Sequence, residues 1–65
     1  MIVSVSINRA REIALLSDIA SYHRTPLSLC FTVHMNEGDL IRWFREHDMN
    51  PYVMNAPGMK WYEIR

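Results

Sequence analysis

Cysteine and histidine are the side chains of this chain best suited to chemistry, because both bind metal ions and both serve in nucleophilic or acid–base catalysis. The sequence contains one cysteine, Cys30, and three histidines, His23, His34 and His47. Cys30 and His34 lie four residues apart in a run that alternates in residue type with a period of two. In a strand that spacing separates them by roughly 13 Å. We therefore expect no metal site, no bound cofactor and no thiolate–imidazole pair from these residues.

No other arrangement of side chains predicts catalysis. Glu46, His47 and Asp48 are consecutive, and consecutive residues of a helix point in different directions, so they do not form an acid–base pair. The chain has no glycine-rich phosphate loop, no zinc-knuckle spacing and no nucleophile elbow. We expect a protein that is not an enzyme. Thiol chemistry at Cys30 is kept as the least favoured alternative.

Composition narrows the class of protein further. The chain has 65 residues, with seven basic and seven acidic side chains and no formal net charge. This balance argues against the basic excess on which non-specific nucleic-acid binding depends. A single cysteine allows no internal disulfide, and the longest apolar run, residues 13–16, is far short of the roughly 20 residues that span a bilayer. We expect a soluble, cytoplasmic protein without a membrane partner.

Two runs alternate between apolar and polar residues, as expected of strands with one buried face. The clearer run covers residues 27–34, and the other covers residues 2–7. The run at 27–34 places Leu27, Leu29, Phe31 and Val33 on one side and Ser28, Cys30, Thr32 and His34 on the other. A sheet with one covered face and one open face follows from this pattern.

Two further stretches have the three- and four-residue apolar spacing of amphipathic helices. The first runs from Arg9 to about His23, with Asn8 as its expected N-cap and Thr25-Pro26 as its stop. The second follows Asn36, its expected cap, and ends before Asn50-Pro51. Its expected buried residues are Leu40, Ile41 and Phe44, with His47 at the margin.

Residues 52–54 and 59–64 read as a hairpin around a turn at 55–58, because proline and glycine lie between two aromatic-rich runs. The resulting order is βαβαββ. It predicts one α+β domain over residues 1–65, a two-layer α/β sandwich with a four-stranded mixed sheet and two helices on one face. A helix between the first two strands predicts that they are parallel neighbours.

This order resembles, in topology alone, that of small sulfur carriers with a Cys-Pro motif and of certain ribosome- or nucleic-acid-binding domains. Where those carriers have the cysteine and proline of the first loop, this chain has Asn8-Arg9-Ala10-Arg11. Sulfur transfer is therefore not supported. Topology alone does not assign a function.

The register of the hairpin decides what the open face carries. If Val53, Tyr62 and Ile64 point toward the helices, the residues facing away are Tyr52, Met54, Met59, Trp61 and Glu63. We favour this register because it leaves Glu63 and Arg65 near water. A shift of one residue exchanges the two sets and places Trp61 and Met59 in the core.

An exposed apolar patch with a polar rim often marks a partner site, and Trp, Tyr, Met and Arg are enriched in such sites. We therefore expect a small binding protein that docks on a larger protein or complex and modulates or inhibits it, as small regulators and phage-encoded inhibitors do. A homodimer through the same face is compatible with this pattern. The expected partner-binding residues are Trp61, Tyr52, Met54, Met59, Trp43, Arg42, Arg45 and His34.

A nucleic-acid-binding domain is the main alternative function. An open sheet with aromatic residues can stack single-stranded bases, and nearby cations can hold phosphates. In this chain the stacking residues would be Trp61, Tyr52 and Tyr62, and the cations would be Lys60, Arg42, Arg45 and Arg65. The balanced net charge makes this function less favoured.

Overall fold

The computed structural model describes all 65 residues, which form five strands and two helices in the order βαββαββ. The strands are β1 (Ile2–Ser6), β2 (Ser21–Arg24), β3 (Ser28–Thr32), β4 (Tyr52–Ala56) and β5 (Met59–Ile64), and the helices are α1 (Ala10–Ser17) and α2 (Glu37–Glu46). The predicted α+β class is confirmed. The predicted four-stranded sheet and βαβαββ order are wrong, because the sequence pattern did not show β2.

The five strands form one mixed sheet in the order β2-β3-β1-β5-β4. The central strand β1 pairs antiparallel with β3 and parallel with β5. The prediction that the first strand and the strand at 27–34 are parallel is therefore wrong. The crossover through α1 leads to β2, which then turns back into β3, so that β3 lies between β1 and β2 and runs opposite to both.

Helix α1 is shorter than the spacing predicts. It ends at Ser17, and the residues expected to continue it form a turn and then β2. Ser21, Tyr22 and His23 are weak helix formers, and Tyr22 gains a contact with Phe31 across the β2–β3 pair, with the ring centroids 5.1 Å apart. Tertiary pairing thus outweighs a weak helical pattern.

The beginnings of the two helices differ in how they are capped. The predicted cap at Asn8 is wrong: Arg9 occupies the N-cap position of α1 and its side chain makes no capping hydrogen bond. The predicted cap at Asn36 is confirmed, because its Oδ1 accepts the backbone N–H of Asp39 at 2.9 Å. Such a cap satisfies one of the amides that lack a partner in the first turn of a helix.

The hydrophobic core lies between the helices and one face of the sheet. Leu16 of α1 and Leu40 and Phe44 of α2 belong to the same buried cluster as the inward side chains of the central strands, so both helices cover one face. The inward residues of the strands and the segments that follow them are Val3, Val5, Leu29, Phe31, Val33, Tyr62 and Ile64. The opposite face of the sheet is uncovered.

The favoured register of the hairpin is confirmed. Tyr62 is 3% exposed and Met59 is 55% exposed, so the shifted register with Met59 in the core is wrong. Ala56 pairs with Met59 across a two-residue turn in which Gly58 has φ +74°, a value that glycine adopts without strain. One inward residue of the predicted pattern is corrected as well: Leu27 precedes β3 and is 78% exposed.

Candidate functional site

The strand register arranges the outward side chains of the open face in rows across the sheet. Residues that pair across neighbouring strands share a face, so each row can be followed through all five strands. One row is Ser21, Thr32, Ile2, Trp61 and Met54, and the next is His23, Cys30, Ser4, Glu63 and Tyr52. The face is therefore polar over β2 and β3 and apolar over β5 and β4.

The apolar half of this face forms a surface that we call the open-face patch, made of Ile2, Tyr52, Met54, Met59 and Trp61. A shallow groove runs between Met59 and Trp61 on one side and Ile2, Ser4 and Cys30 on the other. Large flexible and aromatic side chains at the edge of a groove are the side chains that anchor protein interfaces. The patch has the composition of a contact surface.

Trp61 is held in place by the residues that border the patch. Its indole Nε1 donates to Glu63 Oε2 at 3.0 Å, and Glu63 Oε1 accepts from Arg65 Nε at 3.3 Å. The guanidinium of Arg65 also lies over the ring of Tyr52, 4.2 Å from its centroid. Two aromatic side chains of the patch are thus tied to one ion pair, which orders them without covering them.

The structure separates the sequence-predicted binding residues into three places. Tyr52, Met54, Met59 and Trp61 lie together on the open-face patch, as the favoured register required. His34 is exposed beyond the end of β3. Three residues belong to α2, on the other side of the sheet: Trp43, Arg42 and Arg45.

Two of the residues on α2 have partners within the helix. Trp43 is half-buried against the core, and its ring lies 4.3 Å from that of His47, whose Nδ1 is 2.8 Å from the Trp43 carbonyl oxygen. Arg42 pairs with Asp39 at 3.7 Å. These contacts connect adjacent turns of α2 and give both residues a local structural role.

Cys30 has a different histidine neighbour from the one considered in the sequence. His23 of β2 is its cross-strand partner on one side and Ser4 of β1 on the other, so His23 and Cys30 are adjacent on the open face. Sequence reasoning missed this pair because it placed His23 in a helix. Cys30 is a half-buried free thiol, and no three metal-ligand side chains come together in the structure.

A second concave surface, which no sequence pattern indicates, lies between α2 and β4. We call it the α2–β4 cleft. Ile41 and Phe44 of α2, Met49 after the helix, and Val53 and Tyr62 of the hairpin form its apolar walls. Arg45 lines it together with Asn50 and Pro51, which lead into β4. The cleft therefore combines apolar walls with a cation, next to the edge strand of the sheet.

A buried carboxylate fixes α1 to the rest of the protein. Glu12 is 5% exposed and accepts hydrogen bonds from Arg9 and Arg11, at 3.1 Å and 3.0 Å to its Oε2. The bond from Arg9 is the main reason why the pKa of Glu12 falls to about 2. The same arginines donate to the carbonyls of Arg65 and His47, so the cluster joins α1 to β5 and α2.

A second polar cluster connects α2 with β5. Glu37 Oε2 accepts from the Tyr62 hydroxyl at 2.5 Å and pairs with Lys60 Nζ at 2.6 Å. Burial, followed by this hydrogen bond, raises the pKa of Tyr62 to about 12, while Lys60 and Tyr62 lower the pKa of Glu37. Because every polar group here has a partner within the protein, we assign the cluster to stability.

Comparison of the chain with protein-family models, with curated proteins and with solved structures finds no match. Neither α1 nor α2 has the length and apolar character that crossing a membrane requires.

Proposed function

We propose that this protein is a small, non-enzymatic binding protein that docks on a larger protein through the open-face patch and modulates or inhibits that partner. The observation that carries the proposal is the position of Trp61, an aromatic side chain beside an apolar groove, ordered by Glu63 and left without a covering element. Ordered aromatic side chains lose little conformational freedom on binding, which is why they dominate the energetics of interfaces.

The distribution of charge supports a protein partner over a nucleic acid. Five of the seven basic side chains form ion pairs, and Arg24 and Arg45 are the two that do not. The cation beside the patch, Arg65, is held by Glu63 and by the ring of Tyr52. A surface that follows a phosphate backbone needs several free cations along one groove.

The experiment is an affinity capture from the native lysate with three tagged proteins: the unaltered chain, Trp61→Ala, and Leu27→Ala as a matched control. Leu27 is the most exposed large apolar side chain and lies outside the patch. We expect one stoichiometric, nuclease-resistant protein with the unaltered chain and with Leu27→Ala, and its loss with Trp61→Ala. The captured protein's activity is then assayed with and without this chain.

Other outcomes would replace the proposal. Recovery dominated by nucleic acid, with an affinity that falls steeply as salt rises, would assign a nucleic-acid-binding function. A concentration-dependent dimer that Trp61→Ala dissociates, with no other protein captured, would assign the patch to self-association. A captured protein that Trp61→Ala still retains would place the docking surface elsewhere.

A further inference from the structure

We infer that the free edge of β4 and the α2–β4 cleft receive an extended segment of a partner protein, which adds a sixth strand antiparallel to β4 and places a carboxylate against Arg45. This inference rests on the proposed function and specifies the chemistry of the partner. It extends the contact beyond the open-face patch to the edge where the sheet ends.

No charged side chain and no proline lies within β4 to protect this edge of the sheet from pairing. Strand β4 is bonded to β5 alone, so its other side has no neighbour. Its residues are Tyr52, Val53, Met54, Asn55 and Ala56, none of them charged, whereas the opposite edge strand, β2, contains His23 and Arg24. Natural sheets usually guard an exposed edge with charge, so an uncharged edge is a template for a further strand.

The hairpin determines which backbone groups are available. Ala56 and Met59 close a two-residue turn, and such a closing pair exchanges both of its hydrogen bonds across the hairpin. Because antiparallel pairs alternate, Val53 and Asn55 direct their N–H and C=O groups to the free edge. An added strand therefore finds donors and acceptors from two residues, which is the main-chain recognition used in strand addition.

The side chains of an added strand would meet a different surface on each face of the sheet. Those on the helix side would enter the α2–β4 cleft, where Val53 is 53% exposed beside Ile41 and Phe44. Those on the other side would extend the open-face patch next to Met54 and Tyr52. Residues on the helix side therefore need to be apolar where they meet the walls of the cleft.

Arg45 gives the α2–β4 cleft a preference for a negatively charged group on the added segment. It is in the last turn of α2 and forms no ion pair, and Asn50 and Pro51, which precede β4, line the cleft with it. Antiparallel pairing is the more stable of the two strand pairings per residue. An antiparallel strand would end near the beginning of β4, so the C-terminal part of the segment would lie by Arg45. A carboxylate there can form two parallel hydrogen bonds with the guanidinium.

Charge complementarity also decides between a partner segment and a second copy of this chain. A β4 strand from a second copy would present only uncharged side chains to the cleft and would leave Arg45 unpaired. An acidic segment pairs with it. We therefore assign the edge to a segment with an apolar residue and, two positions toward its C-terminus, a carboxylate from an acidic side chain or from the chain end.

The probe is a library of random twelve-residue peptides displayed on phage, in one format with a free carboxyl end and in another with the end blocked. We expect enriched peptides with the apolar and acidic spacing just described. Enrichment in the free-end format alone would assign the carboxylate to a chain terminus, and enrichment in both formats to a side chain. A synthetic peptide of the enriched sequence should slow amide hydrogen exchange at Val53 and Asn55.

Three variants test the geometry with that synthetic peptide. Arg45→Glu should weaken binding by about tenfold or more, through loss of a charge-assisted hydrogen bond. Arg24→Glu, at the other unpaired cation, should leave the affinity unchanged. Asn55→Pro removes an edge N–H without removing a β4–β5 bond, and should abolish binding while the circular-dichroism spectrum is kept.

The inference is overturned if no peptide is enriched, if the enriched peptides lack a carboxylate, or if exchange at Val53 and Asn55 is unchanged by the bound peptide. It is also overturned if the protein dimerises and Asn55→Pro yields the monomer. The exchange measurement uses the unaltered protein, so misfolding of a variant cannot obscure it. A partner that is captured through Trp61 while the library yields nothing would leave the proposed function standing and remove this inference alone.

Discussion

The indole of Trp61 donates its Nε1–H to Glu63 two residues further along β5, and the two side chains lie side by side on the uncovered face of the sheet. This bond has a consequence for binding. A tryptophan that is already held in one orientation loses less conformational entropy when a partner covers it. This smaller entropy cost increases the affinity of the complex.

Replacement of this anchor is the most direct test of the open-face patch. Trp61→Ala should weaken partner binding by about 2 kcal/mol or more, because truncation of a central aromatic anchor leaves its contact unfilled. The affinity is measured by titration calorimetry with the captured partner. Glu63→Ala keeps the indole but removes its hydrogen bond, so the loss of binding free energy should be smaller, about 1 kcal/mol. Loss of the folded spectrum in Trp61→Ala would show instead that this residue supports the core.

Cys30 distinguishes docking from thiol chemistry. Cys30→Ser keeps the size of the side chain on the open face and should change the affinity for the partner by no more than about twofold, as substitutions outside the anchoring residues do. Titration of this variant against the same partner provides the measurement. Abolition of function in a folded Cys30→Ser protein would establish a role for the thiol, with His23 as its nearest cross-strand histidine.

Stability in acid should depend on Glu12. Its pKa is lowered from 4.5 to about 2 in the folded protein, so its contribution is complete above pH 4.5 and is lost as the pH falls toward 2. At neutral pH, Glu12→Gln should lower the free energy of unfolding by about 1–3 kcal/mol, because charge-assisted hydrogen bonds to a carboxylate are replaced by weaker bonds to a neutral amide. Urea unfolding should give a difference between the two proteins that shrinks over this pH range. A difference that stays constant would contradict the assignment.

Stability in alkali should depend on Tyr62. Its pKa is raised from 10 to about 12 in the folded protein, so its contribution is complete below pH 10 and is lost as the pH rises toward 12. Phenolate absorbance should show one of the three tyrosines titrating at about pH 12, and that step should be missing in Tyr62→Phe. Loss of the hydrogen bond to Glu37 should cost the variant about 1 kcal/mol at neutral pH. Persistence of the high step in Tyr62→Phe would assign it to another tyrosine.

The part of the fold that could be predicted is the part with a strong residue pattern. Alternation located β1 and β3 and identified their buried faces. Proline and glycine between two aromatic-rich runs located the hairpin, and the cap at Asn36 located α2. Strand β2 could not be found because its four residues are all exposed and have no apolar alternation. The parallel pairing was inferred from the helix between two predicted strands. This inference failed because β2, which the sequence pattern does not show, follows that helix and precedes β3 in the chain.

The candidate binding residues could likewise be predicted only where the sequence pattern determines their position. The register of β5 placed Trp61 and Met59 correctly, because the charged end of the strand had to reach water. The positions of Trp43 and Arg45 depend on how α2 lies across the sheet, which a helical spacing does not specify. The adjacency of His23 and Cys30 depends on β2, which the sequence pattern does not show. The α2–β4 cleft depends on the crossover through α2 from β3 to the edge strand β4.

The position of β1 in the middle of the sheet has a consequence for folding. Its partners are distant in the chain, since Ser4 pairs with Cys30 on one side and with Glu63 on the other, while β2–β3 and β4–β5 are joined by short turns. Closing such long loops costs chain entropy before any contact offsets it, and an isolated two-stranded hairpin is only marginally stable. The two hairpins therefore depend on β1 to become one sheet, and the protein should fold and unfold in a single cooperative step, with the insertion of β1 as its slow event.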